Sequence, residues 1–177
     1  ARLPPLRGVP APAAVTCPKR RFEEAMLFPH RGISGPAILQ ISSYWREGEE
    51  IEVDMTPGVD LFEILRKDRT VHGRQALANA LAEHLPKRVA QSIVEAEGLA
   101  GNLGDASDKV LRRVADAVNA WRLKPVGSEG YRTAEVTLRG VDTDELDSRT
   151  MVAKAVPGLF FIGGVGGVTR WLGGYKF

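Results

Sequence analysis

Apolar and polar positions along this chain change their period several times, and each change marks an element. "EEIEVDM" sets Ile51, Val53 and Met55 against Glu50, Glu52 and Asp54. A period of two predicts a half-buried strand with one wet face. "AEVTLRG" sets Ala134, Val136 and Leu138 against Glu135, Thr137 and Arg139, and Gly140 ends it. Ala25 to Phe28 predict a short buried strand. Ahead of them, residues 1–21 carry Pro4, Pro5, Pro10, Pro12 and Pro18. Proline gives a ladder no donor, so this stretch is expected as an edge strand or an extended arm.

From residue 60 to 119 the period lengthens to that of a helix. Asp60 and Glu63 have capping-box spacing ahead of a short helix around 61–67. Leu77, Leu81 and Leu85 recur at helical spacing, and Val89, Ala90, Ile93 and Val94 form a second stripe after Pro86. Ser107 caps a third helix with Val110, Leu111, Val114 and Val118 inward. Gly98, Gly101 and Gly104 separate the second from the third. A further short helix is expected from Pro36 to about Ser43, because proline in the first helical position gives up no needed N–H. Its expected apolar face is Ile38, Leu39 and Ile41. "LFFI" at 159–162 shows no alternation, which predicts a strand buried on both faces. It pours into Gly163, Gly164, Gly166, Gly167, Gly173 and Gly174. Strands, helices, then strands make an α+β chain, with a helical block at 60–119 set into a β unit at 1–56 and 120–140.

Composition narrows the class. The 177 residues suit one ordinary domain or two small ones, and 44% apolar with 26% charged describes a soluble globular protein. Basic residues number 24 and acidic 22, for a net +2. A nucleic-acid binder usually carries a larger, clustered excess, though a local basic patch stays open. The single cysteine, Cys17, excludes an intramolecular disulfide framework and a zinc site built on several cysteines. It reads as a structural thiol in a reducing cytoplasm. No stretch is apolar for long enough to span a membrane. "ARLPPLRGVPAPAAV" lacks the apolar core of a signal peptide. The chain opens without Met, so either Met was removed or the chain is cut from a longer one.

Candidate chemistry is sparse. "GISGP" at 32–36 lacks the second glycine of a serine nucleophile elbow, so Ser34 is a turn or helix-start residue. His30 lies just before that helix, where a neutral imidazole can donate to a substrate or cofactor carbonyl; satisfaction by nearby backbone is the alternative. His72 and His84 are isolated, without ligand spacing, and no metal site is expected. "DTDELD" at 142–147 lacks the glycine and distant glutamate of a calcium loop and reads as a solvated acidic turn. "RKDR" (66–69) and "PKR" (86–88) read as exposed helix ends or surface faces. The terminal glycines are the sharpest feature. They permit backbone to approach a phosphate or sugar, but no G-x-G-x-x-G precedes a helical pattern.

Four stretches taken together resemble one family: "LFPHRGISGPAILQISSYW" (27–45), "AWRLKPVGSEGYRTAEVTLRGVDTDEL" (120–146), "TMVAKAVPGLFFIG" (150–163) and "WLGGYKF" (171–177). They resemble the YhiN-type bacterial flavoproteins, FAD-dependent oxidoreductases with a Rossmann domain interrupted by an inserted domain, part β-barrel and part helical. The resemblance spans about residues 22–177, and the middle helices match only in pattern. It implies a small β-barrel-like sheet with an inserted helical cluster over 1–149. It further implies a partial Rossmann-type FAD-domain strand over 150–177.

The same resemblance implies roles for individual residues. Gly163 matches the glycine where backbone approaches the ribityl-phosphate part of the flavin, with Gly164 beside it. Trp171, Gly173, Gly174 and Tyr175 match a loop near the isoalloxazine ring. His30 and Gly32 match an "H-x-G-x-S-G-P" segment that faces the flavin cleft, which makes His30 the candidate catalytic residue. The chain departs from the family where an acid is expected at Gly164, where Gly166 and Gly167 replace a Leu-Asp-like pair, and at Arg170 and Lys176.

The implied whole is a flavin-dependent oxidoreductase that reduces a conjugated C=C bond in an enone-like small molecule or an RNA base. The chain would supply its substrate-side lid. FAD would belong to the intact parent, and this chain alone, without the pyrophosphate loop and the closing helix, is expected to hold none and to be inactive. No membrane or DNA partner is expected, the location is cytoplasmic, and oligomeric state is left open. The alternative is a non-catalytic interaction or RNA-binding module derived from the insert.

Overall fold

A computed structural model of the chain describes residues 6–18, 20–134 and 139–168. The chain divides into two compact units, 1–125 and 126–177. The first holds the sheet, the helices and the main apolar core.

Four strands form an antiparallel sheet: β1 (Val9–Cys17), β2 (Arg20–Phe28), β3 (Ile51–Asp54) and β4 (Trp121–Leu123), in the order β2-β1-β3-β4. β1 and β2 pair along their whole length, from Val9 opposite Phe28 to Cys17 opposite Arg20. β3 pairs with β1 only at Ala14 to Thr16. The proline-rich segment is therefore not an edge strand. Pro10 and Pro12 lie on the half of β1 that β3 does not reach, so the missing N–H groups interrupt no second ladder. The alternation that predicts β3 is observed: Ile51, Val53 and Met55 are buried, and Glu52 and Asp54 are half-buried.

Five α-helices accompany the sheet among the described residues: α1 (Pro36–Ser42), α2 (Leu61–Val71), α3 (Leu77–Leu81), α4 (Lys87–Ala96) and α5 (Asp108–Asn119). Asp60 caps α2 by accepting from the Glu63 N–H at 3.1 Å, and Ser107 caps α5 by accepting from the Val110 N–H at 3.3 Å. The expected stripes bury as Leu77, Leu81 and Leu85, then Val89, Ala90, Ile93 and Val94, then Leu111, Val114 and Val118, while Val110, also expected inward, is half-buried. In α1 the inward face is Ala37, Gln40 and Ile41, whereas Leu39 is 45% exposed. The Gly35 entry sets the rotation of this two-turn helix, and it turns Leu39 away from the sheet.

Two turns are laced together beside the helices. The Gly104 N–H donates to the Gly73 carbonyl at 2.8 Å, Leu103 to Gln75 at 2.7 Å, and Leu77 to Gly101 at 3.1 Å. A Cβ on Gly104 would lie 2.8 Å from the Gly73 oxygen, so glycine is needed for the backbones to approach. Arg69, expected at an exposed helix end, is instead drawn in: it donates to the Ala106 carbonyl at 2.8 Å and pairs with Asp108 at 2.6 Å.

The second unit is a chain of bridges and turns. Leu146 bridges Ala153, Val152 bridges Phe160, and Val141 bridges Gly166. Leu146 and Ala153 are buried. The segment 159–162 is not buried on both faces: Phe160 is 58% exposed and Ile162 79%. Burial of both faces takes covering layers, and the described residues of this unit form only short 3-10 turns. Of the predicted strand at 134–138, residues 135–138 lie outside the described residues.

Candidate functional site

His30 sits on a loop whose base is clasped. The Leu27 N–H donates to the Ser34 carbonyl and the Ser34 N–H donates to the Leu27 carbonyl, each at 2.8 Å. Ser34 is thus a backbone anchor at the helix start, as its sequence context predicts. Gly35 follows at φ 92 and ψ 170, a region essentially restricted to glycine. A Cβ there would lie 2.8 Å from the Leu27 nitrogen and 2.9 Å from the Ala25 oxygen. Gly35 is therefore pressed against β2, and Pro36 launches α1 directly from that contact. Between the clasped ends, His30, Arg31 and Gly32 are exposed, with Gly32 at φ 66 turning the loop. The result is an imidazole held outward on a short, anchored excursion from the sheet.

The neighbourhood of this loop is basic. The Gly8 N–H donates to the Phe28 carbonyl at 2.7 Å, which sets Arg7 and Gly8 beside the foot of the loop. Arg88 reaches back from α4 to the Arg7 carbonyl, 3.4 Å from its Nη1. "PKR" stands at the start of α4, with Lys87 and Arg88 at the exposed helix end that its sequence predicts.

In the second unit, "LFFI" leads into a 3-10 turn at Gly163–Val165. Gly163 (φ 72) and Gly164 are exposed, and an added Cβ at either would meet nothing within 4 Å. Backbone here is open to close approach by a sugar or phosphate. The structure thus brings Gly163 and Gly164 together in one turn, with His30 in the other unit. Trp171, Gly173, Gly174 and Tyr175, together with Arg170 and Lys176, lie outside the described residues.

Other acid-bearing features are structural. Asp142 accepts from the Asp144 N–H at 3.0 Å in the "DTDELD" turn. Asp147 accepts from the N–H groups of Arg149 (3.0 Å) and Thr150 (2.8 Å) and from the Thr150 hydroxyl (2.9 Å). The Thr150 backbone bond, then its hydroxyl and the Arg149 N–H hold the Asp147 carboxyl below its ordinary 3.8, with Lys154 adding to the effect and partial desolvation opposing it. Among the described residues no cluster of three or more His, Cys, Asp or Glu is placed to hold a metal ion. Among them, too, no helix is long and apolar enough to cross a membrane.

Sequence reasoning missed a polar node at the end of β3. Asn119, the last residue of α5, donates from Nδ2 to Asp54 Oδ1 (2.9 Å), Thr56 Oγ1 (2.9 Å) and the Val59 carbonyl (3.0 Å). Its Oδ1 accepts from the Leu61 N–H at 3.4 Å. The only sequence signal is an asparagine closing a helix.

A small antiparallel sheet carrying a helical cluster built on paired turns defines the class: an α+β barrel-and-helix domain. Residues 1–136 match the family described as HI0933-like protein barrel and H2TH domain, and the chain belongs to that family. The protein of Escherichia coli named "Ribosomal RNA dihydrouridine synthase" is 49% identical over 178 residues, covering 97% of this chain and 44% of that protein. The protein of the same name from Haemophilus influenzae is 42% identical over 176 residues, covering 97% of this chain and 43% of its own length. The chain therefore spans less than half the length of these curated relatives.

Proposed function

We propose that this chain is the substrate-side part of a flavin-dependent oxidoreductase that saturates the C5–C6 double bond of a uridine in ribosomal RNA. The observation that carries the reading is the similarity, along 97% of the chain, to two proteins named for forming dihydrouridine in ribosomal RNA. Uracil is a conjugated, enone-like ring, so it unites the two substrate classes that the sequence resemblance implies.

The described residues fit one edge of an FAD site. The exposed turn at Gly163 and Gly164 offers backbone without side-chain obstruction. No carboxylate stands at 164 to hold ribityl hydroxyls. A bound flavin would supply the hydride for such a reduction, and a proton drawn from water would complete the saturated bond. The residues of this chain have the other tasks. The glycine turn admits the ribityl-phosphate part. His30, outward on its clasped loop, donates a hydrogen bond to a substrate carbonyl, which draws electron density toward that oxygen and makes the double bond easier to reduce. By the resemblance, residues 1–149 are the insert domain and 150–177 the returning FAD-domain segment.

The test is co-elution with flavin absorbance through a desalting column. The 177-residue chain mixed with FAD is expected to emerge without stoichiometric flavin. The natural gene product is expected to retain it and to generate dihydrouridine in ribosomal RNA, read by nucleoside mass spectrometry. A natural product that holds no flavin and leaves uridine unchanged would overturn the reading.

A further inference from the structure

We propose that the end of the sheet around the His30 loop is an RNA-backbone site, in which Arg7, Arg31 and Lys87 contact phosphodiesters flanking the target base. The inference rests on the RNA reading above and assigns it a surface.

Three distant stretches of sequence meet here. The Gly8–Phe28 hydrogen bond joins the Arg7 turn to the foot of the 28–33 loop, and the Arg88–Arg7 contact brings the start of α4 to the same place. Each stretch is basic and free of acid. No Asp or Glu occurs in residues 1–22, in 25–46 or in 84–94. A chain of net +2 thus gathers Arg7, Arg31, Lys87 and Arg88 at one end of a sheet with no acidic residue on the segments that carry them. All four are exposed, and Arg7, Arg31 and Lys87 make no ion pair among the described residues. Elsewhere in the unit several cations are paired: Arg66 with Glu63, Arg69 with Asp108, Arg113 with Glu97 and Arg122 with Glu52. The nearest acid before α4, Glu83, is held by Gln75 at 2.7 Å.

Gathered like charges repel; the phosphates of a polyanion neutralise them, and release of its condensed counterions adds a favourable, salt-dependent entropy. The place also suits the chemistry. A base inside folded RNA must leave its stack to be reduced, and phosphate contacts on either side hold the strand while it turns out. His30 precedes Arg31 on the loop whose foot, at Phe28, accepts the Gly8 N–H. A cation cluster around the proposed catalytic residue is where such a strand would be gripped.

The test is fluorescence anisotropy of the 177-residue chain with a fluorescein-labelled single-stranded oligouridylate over a range of salt. The variant Arg7→Gln/Arg31→Gln/Lys87→Gln is expected to bind more weakly, with a salt slope shallower by about two. The matched variant Lys67→Gln/Arg74→Gln/Lys109→Gln, on the helical cluster, should bind as the unchanged chain does. All six positions are half-buried or exposed, and thermal unfolding checks that both variants fold. Weakening only in the helical-cluster variant would overturn this surface while leaving the RNA reading intact. No binding by the unchanged chain at low salt would overturn both. If NADPH displaced the RNA, and the Arg7/Arg31/Lys87 variant lost NADPH but kept RNA, the surface would belong to a dinucleotide phosphate and the proposal would fall.

Discussion

Asn119 Nδ2 lies 2.9 Å from Asp54 Oδ1, which ties the end of α5 to the end of β3 across 65 residues of sequence. The amide has two hydrogens and three acceptors within reach, so it is shared among Asp54, Thr56 and Val59. The strand, the following turn and the start of α2 are all fixed by one side chain. Asn119→Ala would strand these groups in a half-buried setting. It is expected to lower stability by about 2–3 kcal/mol, measured as a shift in urea midpoint at unchanged slope. A shift near zero would mean that water replaces the amide fully.

The two glycines of the His30 loop should respond differently. Gly35→Ala meets both a forbidden backbone region and contacts under 3.0 Å to the backbone of β2, so about 3 kcal/mol or more should be lost. Gly32→Ala meets only the strain of φ 66 in open space, and about 1 kcal/mol is expected. Equal losses at the two sites would contradict the close packing of Gly35 on β2.

A third glycine tests the laced turns. Gly104 has no positive φ, so Gly104→Ala should act by steric contact with the Gly73 carbonyl alone. The expected result is faster amide exchange at Gly104 and Leu103, whose N–H groups cross to Gly73 and Gln75, with the sheet amides unaffected.

Asp147 gives the pH prediction. Its carboxyl is held below 3.8 in the folded chain, so its bonds to Arg149 and Thr150 favour the turn above that value and are lost as pH falls through the folded one. An NMR titration of the Thr150 amide should therefore show a midpoint below 3.8. Asp147→Asn should remove the titration while keeping the turn. A midpoint at or above 3.8 would contradict the hydrogen-bond geometry.

His30→Ala, in the natural gene product, is expected to reduce dihydrouridine formation by about a hundredfold or more with an unchanged unfolding midpoint. The exposed imidazole supports no described packing, so a loss of stability would point to a structural residue instead.

Much of the fold is legible because it is local. Ile51, Val53 and Met55 declare β3 by alternation, and Asp60 and Ser107 declare helix starts by their spacing to the first turn. What is not legible depends on partners far along the chain. Pro10 and Pro12 look like edge residues, yet β1 is internal, because β3 reaches only the proline-free half of it. Leu39 carries apolar area but points outward, since the orientation of α1 is set by Gly35 packing on β2. The burial expected for Phe160 and Ile162 depends on layers that no local pattern supplies. The candidate residues divide in the same way, each unit taken by itself. Glycines 163 and 164 announce an open backbone, and "HRGISGP" announces a special turn. The meeting of Arg7, Arg31 and Lys87 is invisible until β1, β2 and α4 are folded together.

The paired Leu27–Ser34 bonds do more than display a histidine. They separate the length of the loop from the register of the sheet. A residue added or removed between Phe28 and Ile33 would leave the ladder of β1 and β2 intact and change only which side chain stands at the crest, and how far out. The side chain presented at the crest can therefore be changed by loop length alone, with the scaffold beneath it left as it is.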